Sequence, residues 1–408
     1  MPKTRIVITG IGVLAANGIS KDAFWNSIFS GQSGIKPITL FDVSGHKIKL
    51  AGQINDFKPE DILGPKGLRT LDRSTKLLSC ASKFALDDAK LVITEDNCSN
   101  IGFACGNTLG SVYSISEFDK EAIIDGPQYV NPAHFPNTVI NSPSGQVSIR
   151  FNIKGFNATI STGFCASLDA LGYALDFIKS GRIKTVLAST VEEFCLQTYL
   201  GFYRTGFLAA KEEICCPFDK RRNGITIGES SSCIVVETLE QALLRKAVIY
   251  AEVLGFGRGF DAYRMNKYSQ AGRGLSLAIN SCLDDAALKP EDIDYICAGA
   301  NSHPDADLTE GKAINEIFSQ SRKPYVSSIK AVTGECFSAS GLLQLIASVG
   351  AMNKGIIPYT LNLREPDERI KLNYVMGSFK KAKVERVLIN NMGPSGCNSS
   401  VVIGKYKE

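Results

Sequence analysis

The chain has little of what would mark it for a special partner or environment. Its net charge is only +4 over 408 residues, with no basic run, so nucleic acid is not an expected partner. No apolar stretch approaches a membrane span, which excludes an integral membrane protein from the expectations. The first residues, Met1-Pro2-Lys3-Thr4-Arg5, lack a signal-peptide pattern and lead at once into a strand. The 12 cysteines are scattered without a CxxC pair, and the adjacent Cys215 and Cys216 cannot easily bridge each other. Neither a disulfide framework nor a metal site is expected, and a reducing cytoplasm is the expected location. Histidine is scarce: His46, His134 and His303 are the only three.

What is present is ordinary for a globular protein, 44% apolar and 21% charged, and long enough for two packed halves. The stretch with the most chemical character runs Thr159-Ile160-Ser161-Thr162-Gly163-Phe164-Cys165-Ala166-Ser167-Leu168. It reads as a short β-branched strand, a glycine turn, and a cysteine where a helix begins. Leu168, Leu171, Ala174, Leu175 and Ile178 keep the 3.6-residue spacing of a buried helix face. A thiol there meets unpaired backbone N–H groups and the positive end of the helix dipole, which favour the thiolate. The geometry is a nucleophile elbow with sulfur in place of oxygen. The alternative is that Cys165 is a small buried hydrophobe.

At the start, Gly10-Ile11-Gly12-Val13-Leu14-Ala15 matches a dinucleotide-binding glycine pattern. That reading needs a helix directly after the glycines and an acidic residue about 20 positions on. Instead Asn17-Gly18 makes a turn, Ser20 reads as a helix N-cap, and no acid sits near position 30. A dehydrogenase is therefore disfavoured. Further on, strand and helix alternate in two cycles, with a proline-rich cap segment from Leu109 to Gly145 in the first. The second cycle opens at Val248-Ile249-Tyr250-Ala251 and predicts helices over Gly274–Ala287, Thr309–Phe318 and from Ser338 to about Met352. The expectation is a layered α/β fold of two related halves, residues 1–250 carrying the elbow and residues 251–408.

These stretches together resemble the β-ketoacyl synthase family of the thiolase-like fold, most closely its ketoacyl-carrier-protein synthase II type. The resemblance rests on Val7-Ile8-Thr9-Gly10-Ile11-Gly12, Phe164-Cys165-Ala166-Ser167, Pro217-Phe218-Asp219-Lys220 and Gly228-Glu229. It continues through Tyr250 to Gly257, Asp261 to Met265, and Ser328-Ile329-Lys330-Ala331-Val332-Thr333-Gly334 with Gly341. It implies a cysteine that takes an acyl group from the 4'-phosphopantetheine of an acyl carrier protein, with no cofactor of the chain's own. Two histidines then assist decarboxylation and stabilise the oxyanion. Carried over, Cys165 is the nucleophile, Lys330 the supporting lysine and Glu310 the acidic partner. Gly299 stands at the first histidine position and Glu335 at the second. Asn301 and His303 replace the two pantetheine-binding threonines, and Gly393-Pro394-Ser395-Gly396 replaces a gating Gly-Phe-Gly-Gly loop.

Losing one preorganised oxyanion donor typically costs about 2.7–4 kcal/mol of catalysis. Glu335 has three open roles: a carboxylate repelling the forming anion, a protonated donor, or an ion-pair partner of Lys330. The pattern of losses resembles the chain-length-factor subunit of type II polyketide synthases. That implies a heterodimer with an active ketosynthase, a growing polyketide in an interface tunnel, and an acyl carrier protein as a further partner. The candidate tunnel residues lie in Leu109 to Tyr113, in Phe135 to Ile140 and around Phe202-Tyr203, with Tyr113, Phe135, Phe202 and Tyr203 singled out. The alternative is an active synthase or cysteine acyltransferase using Cys165 with Glu335 and His303.

Overall fold

The computed structural model describes residues 4–209, 214–320 and 323–407; residues 1–3, read above for a leader pattern, lie outside them. Strand β1 (Ile6–Ala15) runs straight through the glycines that the dinucleotide reading required to turn. Helix α1 (Lys21–Ser30) follows, capped by the Ser20 side chain on the N–H of Ala23. The glycines of β1 are explained by α2 (Arg73–Ala89), which lies flat against the strand. A Cβ at Gly10 would sit 2.4 Å from the Ala85 carbonyl oxygen, and one at Gly12 2.0 Å from that of Ala81.

The first half continues with β2 (Ile101–Gly106), α3 (Val112–Ile124), β3 (Asn157–Ile160), α4 (Ala166–Lys179), β4 (Thr185–Glu192), α5 (Leu196–Thr205) and β5 (Ser230–Thr238). The second supplies β6 (Ala251–Phe260), α6 (Arg273–Ala286), β7 (Tyr295–Cys297), α7 (Pro304–Phe318), β8 (Tyr325–Ser327), α8 (Ser340–Lys354), β9 (Asn373–Tyr374), β10 (Arg386–Met392) and β11 (Cys397–Gly404). These strands form one sheet in the order β9-β8-β7-β10-β11-β6-β1-β5-β4-β2-β3.

Outward from the centre, β1-β5-β4-β2-β3 and β6-β11-β10-β7-β8 show the same directions: antiparallel, antiparallel, parallel, parallel. The glycines repeat as well. A Cβ at Gly257 of β6 would meet the Ala278 carbonyl oxygen of α6 at 2.1 Å, as Gly12 meets α2. The chain is thus a mixed α/β thiolase-like fold of two related halves. They are stitched together where Ile6 and Ile8 pair with Val253 and Ala251.

Between the half-sheets lie α4 and α8. The second is buried from Ser340 to Met352, as a helix apolar on all sides must be. It approaches α4 so closely that a Cβ at Gly341 would come within 2.6 Å of Leu168. Leu168, Leu171 and Leu175 join Leu342, Leu345 and Ile346 in one core, each leucine worth about 1.5–3 kcal/mol by burial. Each central helix is entered through a 3-10 turn, Gly163–Cys165 and Phe337–Ala339, and these two turns pack together. The cap segment contains α3, none of whose residues is buried, and a 3-10 turn over Pro132–Thr138. Helix α7 starts earlier than the spacing predicts, at Pro304, a residue that suits the first helical position. Among the described residues no helix is long and apolar enough to cross a membrane.

Candidate functional site

The elbow has the expected strand, turn and helix. Gly163 adopts φ +68°, a left-handed conformation that glycine reaches without strain, and Gly163–Cys165 make one 3-10 turn into α4. Which side chain this turn presents is the surprise. The Cys165 thiol is fully buried and donates to the Asn391 carbonyl of β10 at 3.2 Å. Phe164, its neighbour, lines a cleft of about 460 Å³ together with Gly163, Leu109, Val112, Phe202 and Pro394. In this structure the Cys165 thiol faces the β10 strand, while Phe164 beside it lines the cleft. Burial, with the Asp169 carboxylate adding to it, pushes the Cys165 thiol well above its ordinary range. Desolvation outweighs the helix-terminus effect that was expected to favour a thiolate.

Three rings close around the elbow. Phe337 stacks on Phe202 at 4.5 Å with 12° between the planes, and Phe164 lies 5.2 Å from Phe337. Pro394 on the cleft rim has no N–H, so it cannot donate to an oxyanion there.

Glu335 lies just before the 3-10 turn Phe337–Ala339 that leads into the second central helix, and its carboxylate is fully engaged. Oε2 accepts from Lys330 Nζ at 2.8 Å and from Asn301 Nδ2 at 2.7 Å. Oε1 accepts from the Phe337 N–H at 3.0 Å and from the Ser340 hydroxyl at 2.5 Å. Of the three roles left open by the sequence, the geometry has the ion pair with Lys330. Gly299 donates its N–H to Glu310 Oε1 at 2.9 Å, and burial pushes the Glu310 carboxyl up to about 7. A Cβ at Gly299 would lie 2.9 Å from the Asn390 carbonyl oxygen, so a larger residue needs the backbone to shift.

His303 caps α7, its Nδ1 accepting from the Asp305 N–H at 3.2 Å, with its ring between Phe207 and Tyr268. Burial pulls its pKa below the ordinary histidine range, which favours the neutral ring. It is not among the residues lining the cleft.

Of the four tunnel residues singled out, Phe202 lines this cleft, and Leu109 and Val112 of the candidate segment line it too. Tyr203, one position on, points the other way and packs on Tyr199 and His46. Tyr113 is 51% exposed and Phe135 59%, both on the open face formed by α3 and the following 3-10 turn. The fold thus gathers Lys330, Glu335 and Asn301 into one network and sets Gly299 and Glu310 beside each other. Tyr113, Phe135 and Tyr203 stay apart from the elbow. Phe164 and Phe337 were missed by sequence reasoning, although Phe164 opens the Phe164-Cys165-Ala166-Ser167 motif and Phe337 lies between Gly334 and Gly341. Among the described residues no group of His, Cys, Asp or Glu side chains is gathered to hold a metal ion.

Residues 3–242 match the family described as Beta-ketoacyl synthase, N-terminal domain, and residues 250–364 match Beta-ketoacyl synthase, C-terminal domain. The 3-oxoacyl-[acyl-carrier-protein] synthase 2 of Coxiella burnetii is 34% identical over 415 residues, covering 99% of both chains. That of Synechocystis sp. is 33% identical over 413 residues, covering 100% of this chain and 99% of the relative. Among solved structures, the ishigamide ketosynthase/chain length factor superposes with a TM-score of 0.92 at 30% identity, over 99% of this chain and 100% of that one. A ketosynthase bound to the hexaketide, in complex with its type II PKS acyl-carrier protein, gives 0.91 at 26% identity, with coverage of 99% and 100%.

Proposed function

The chain belongs to the β-ketoacyl synthase family, and we propose that it acts there as a chain-length-factor-like subunit, pairing with an active ketosynthase and shaping the cavity for a growing polyketide chain. The observation that carries this reading is the elbow: Phe164 faces the cleft where acyl transfer needs a sulfur nucleophile. Glu335, bound to four donors, and Gly299, which lacks room even for a Cβ, support it at the two histidine positions. The reading places the chain in the cytoplasm, with the pantetheine-bound intermediate delivered by an acyl carrier protein. Tyr113 and Phe135, exposed on the α3 face, would line the interface side of the tunnel. The solved ketosynthase/chain length factor supports the likeness at the level of fold.

The test is condensation. Purified chain is incubated with malonyl-carrier protein and an acyl primer, alone and after co-expression with an active ketosynthase that carries the Cys-His-His set. No product alone and a stable mixed dimer that makes product are expected. A homodimer that elongates the primer by itself, with activity lost in Cys165→Ala, would establish the synthase reading instead.

A further inference from the structure

We infer that Phe164 and Phe202, backed by Phe337, form the wall at which a chain in the cleft stops, and that Glu335 positions this wall through the backbone of Phe337. The inference rests on the tunnel-shaping reading and adds the surface that would set its depth.

Phe337 has φ +48°, a left-handed conformation that residues with a Cβ avoid. Buried interactions hold it there. Its N–H donates to Glu335 Oε1 at 3.0 Å, and the Ser340 hydroxyl, which also accepts the Cys336 N–H at 3.0 Å, donates to the same oxygen. Lys330 and Asn301 fix the other oxygen at 2.8 and 2.7 Å. So held, the Phe337 ring lies parallel to Phe202 at 4.5 Å and against Phe164 at 5.2 Å. Phe207 closes the cluster edge-on to Phe202 at 6.2 Å. All of these separations suit attractive aromatic contacts. Phe337 is 1% exposed, so neither cleft-facing ring can swing back into its space. A hydrocarbon in the cleft lined by Leu109, Val112 and Gly201 also meets the fixed rings of Phe164 and Phe202.

The experiment uses the co-expressed complex and a homologous series of saturated acyl-pantetheine thioesters, with affinity measured against chain length. Each methylene accommodated should tighten binding about fourfold, until the wall is reached and the gain ends. Phe164→Ala and Phe337→Ala should move that end point to longer chains. Phe164→Leu and Phe337→Leu give smaller moves and serve if an alanine variant does not fold. Glu335→Ala should move it like Phe337→Ala, although Glu335 does not line the cleft, and Glu335→Gln, which keeps an acceptor for the Phe337 N–H, should restore it. An end point unmoved in folded Phe164 and Phe337 variants overturns the wall and leaves the tunnel reading standing. Failure of the wild-type complex to bind any member of the series overturns both.

Discussion

Lys330 Nζ lies 2.8 Å from Glu335 Oε2, and each side chain is only 1% exposed. A pair so deeply buried gains little over apolar residues of the same shape, but removing one member strands the other. Lys330→Met and Glu335→Ala are each expected to lower stability by about 3–5 kcal/mol. The double variant Lys330→Met/Glu335→Ala should lose less than the two single losses summed, because no buried charge is left alone. Urea denaturation of the four proteins measures this, and additive losses would contradict the pairing.

Thiol chemistry distinguishes Cys165 from its neighbour. Iodoacetamide is expected to leave Cys165 unmodified in the folded chain, because its thiol is sealed against Asn391 and held protonated by burial. Phe164→Cys should gain a label that intact-mass and peptide mapping place at position 164. Rapid labelling of Cys165 in the native protein would show that its thiol reaches the cleft.

Stability should fall as the pH rises across the neutral range. Burial pushes the carboxyls of Glu192, Glu193 and Glu310 up to about 7 each, against about 4.3 in the unfolded chain. The folded state then binds more protons, so their contribution is fully present below about pH 4.3 and is lost as pH rises through about 7. His303, whose pKa is pulled down, acts oppositely: its contribution is present above about pH 6.5 and lost as pH falls. Urea midpoints measured against pH should show the carboxyl slope, and Glu310→Gln should reduce it by about one proton. An unchanged slope in that variant would remove Glu310 from the account.

The α3 face gives a separate test of the proposed pairing. Ile124 is 68% exposed and Phe135 59%, large apolar side chains left in the open by this chain alone. Ile124→Glu and Phe135→Glu are expected to weaken a mixed dimer at least about tenfold each, roughly 1.4 kcal/mol. The isolated chain should change by less than about 0.5 kcal/mol, since neither side chain is in its core. Sedimentation of the complex reads the first effect and thermal unfolding the second. Undiminished pairing in both variants would move the interface elsewhere.

Much of this was legible in the residues. Strand–helix alternation pointed to two halves, whereas the Lys330–Glu335 ion pair was one of three roles open to Glu335 until the fold joined the two side chains. The orientation of Cys165 was not legible. Adjacent residues on a helical turn point about 100° apart, so a cysteine beside a phenylalanine can face core or cleft with no change in pattern. The same ambiguity separated Phe202, which lines the cleft, from Tyr203, which does not. The glycines of β1 carry a related ambiguity, since one Gly-x-Gly spacing serves both a phosphate loop and a helix lying against a strand. The turn at Asn17-Gly18 already disfavoured the first, and α2 packed on Gly10 and Gly12 accounts for the second.

Four donors on one carboxylate also bear on how this protein can change. An apolar replacement at position 335 abandons a buried ammonium, an amide, a hydroxyl and a main-chain N–H at once. Each orphaned group carries its own desolvation penalty, so intermediates on the way to another residue are less stable than either end. Position 299 adds a second barrier, because growth there collides with the Asn390 carbonyl. Single steps from Glu335 to an apolar residue are disfavoured by stability. Relatives descended from this chain are therefore expected to vary around the rings and to keep the acid.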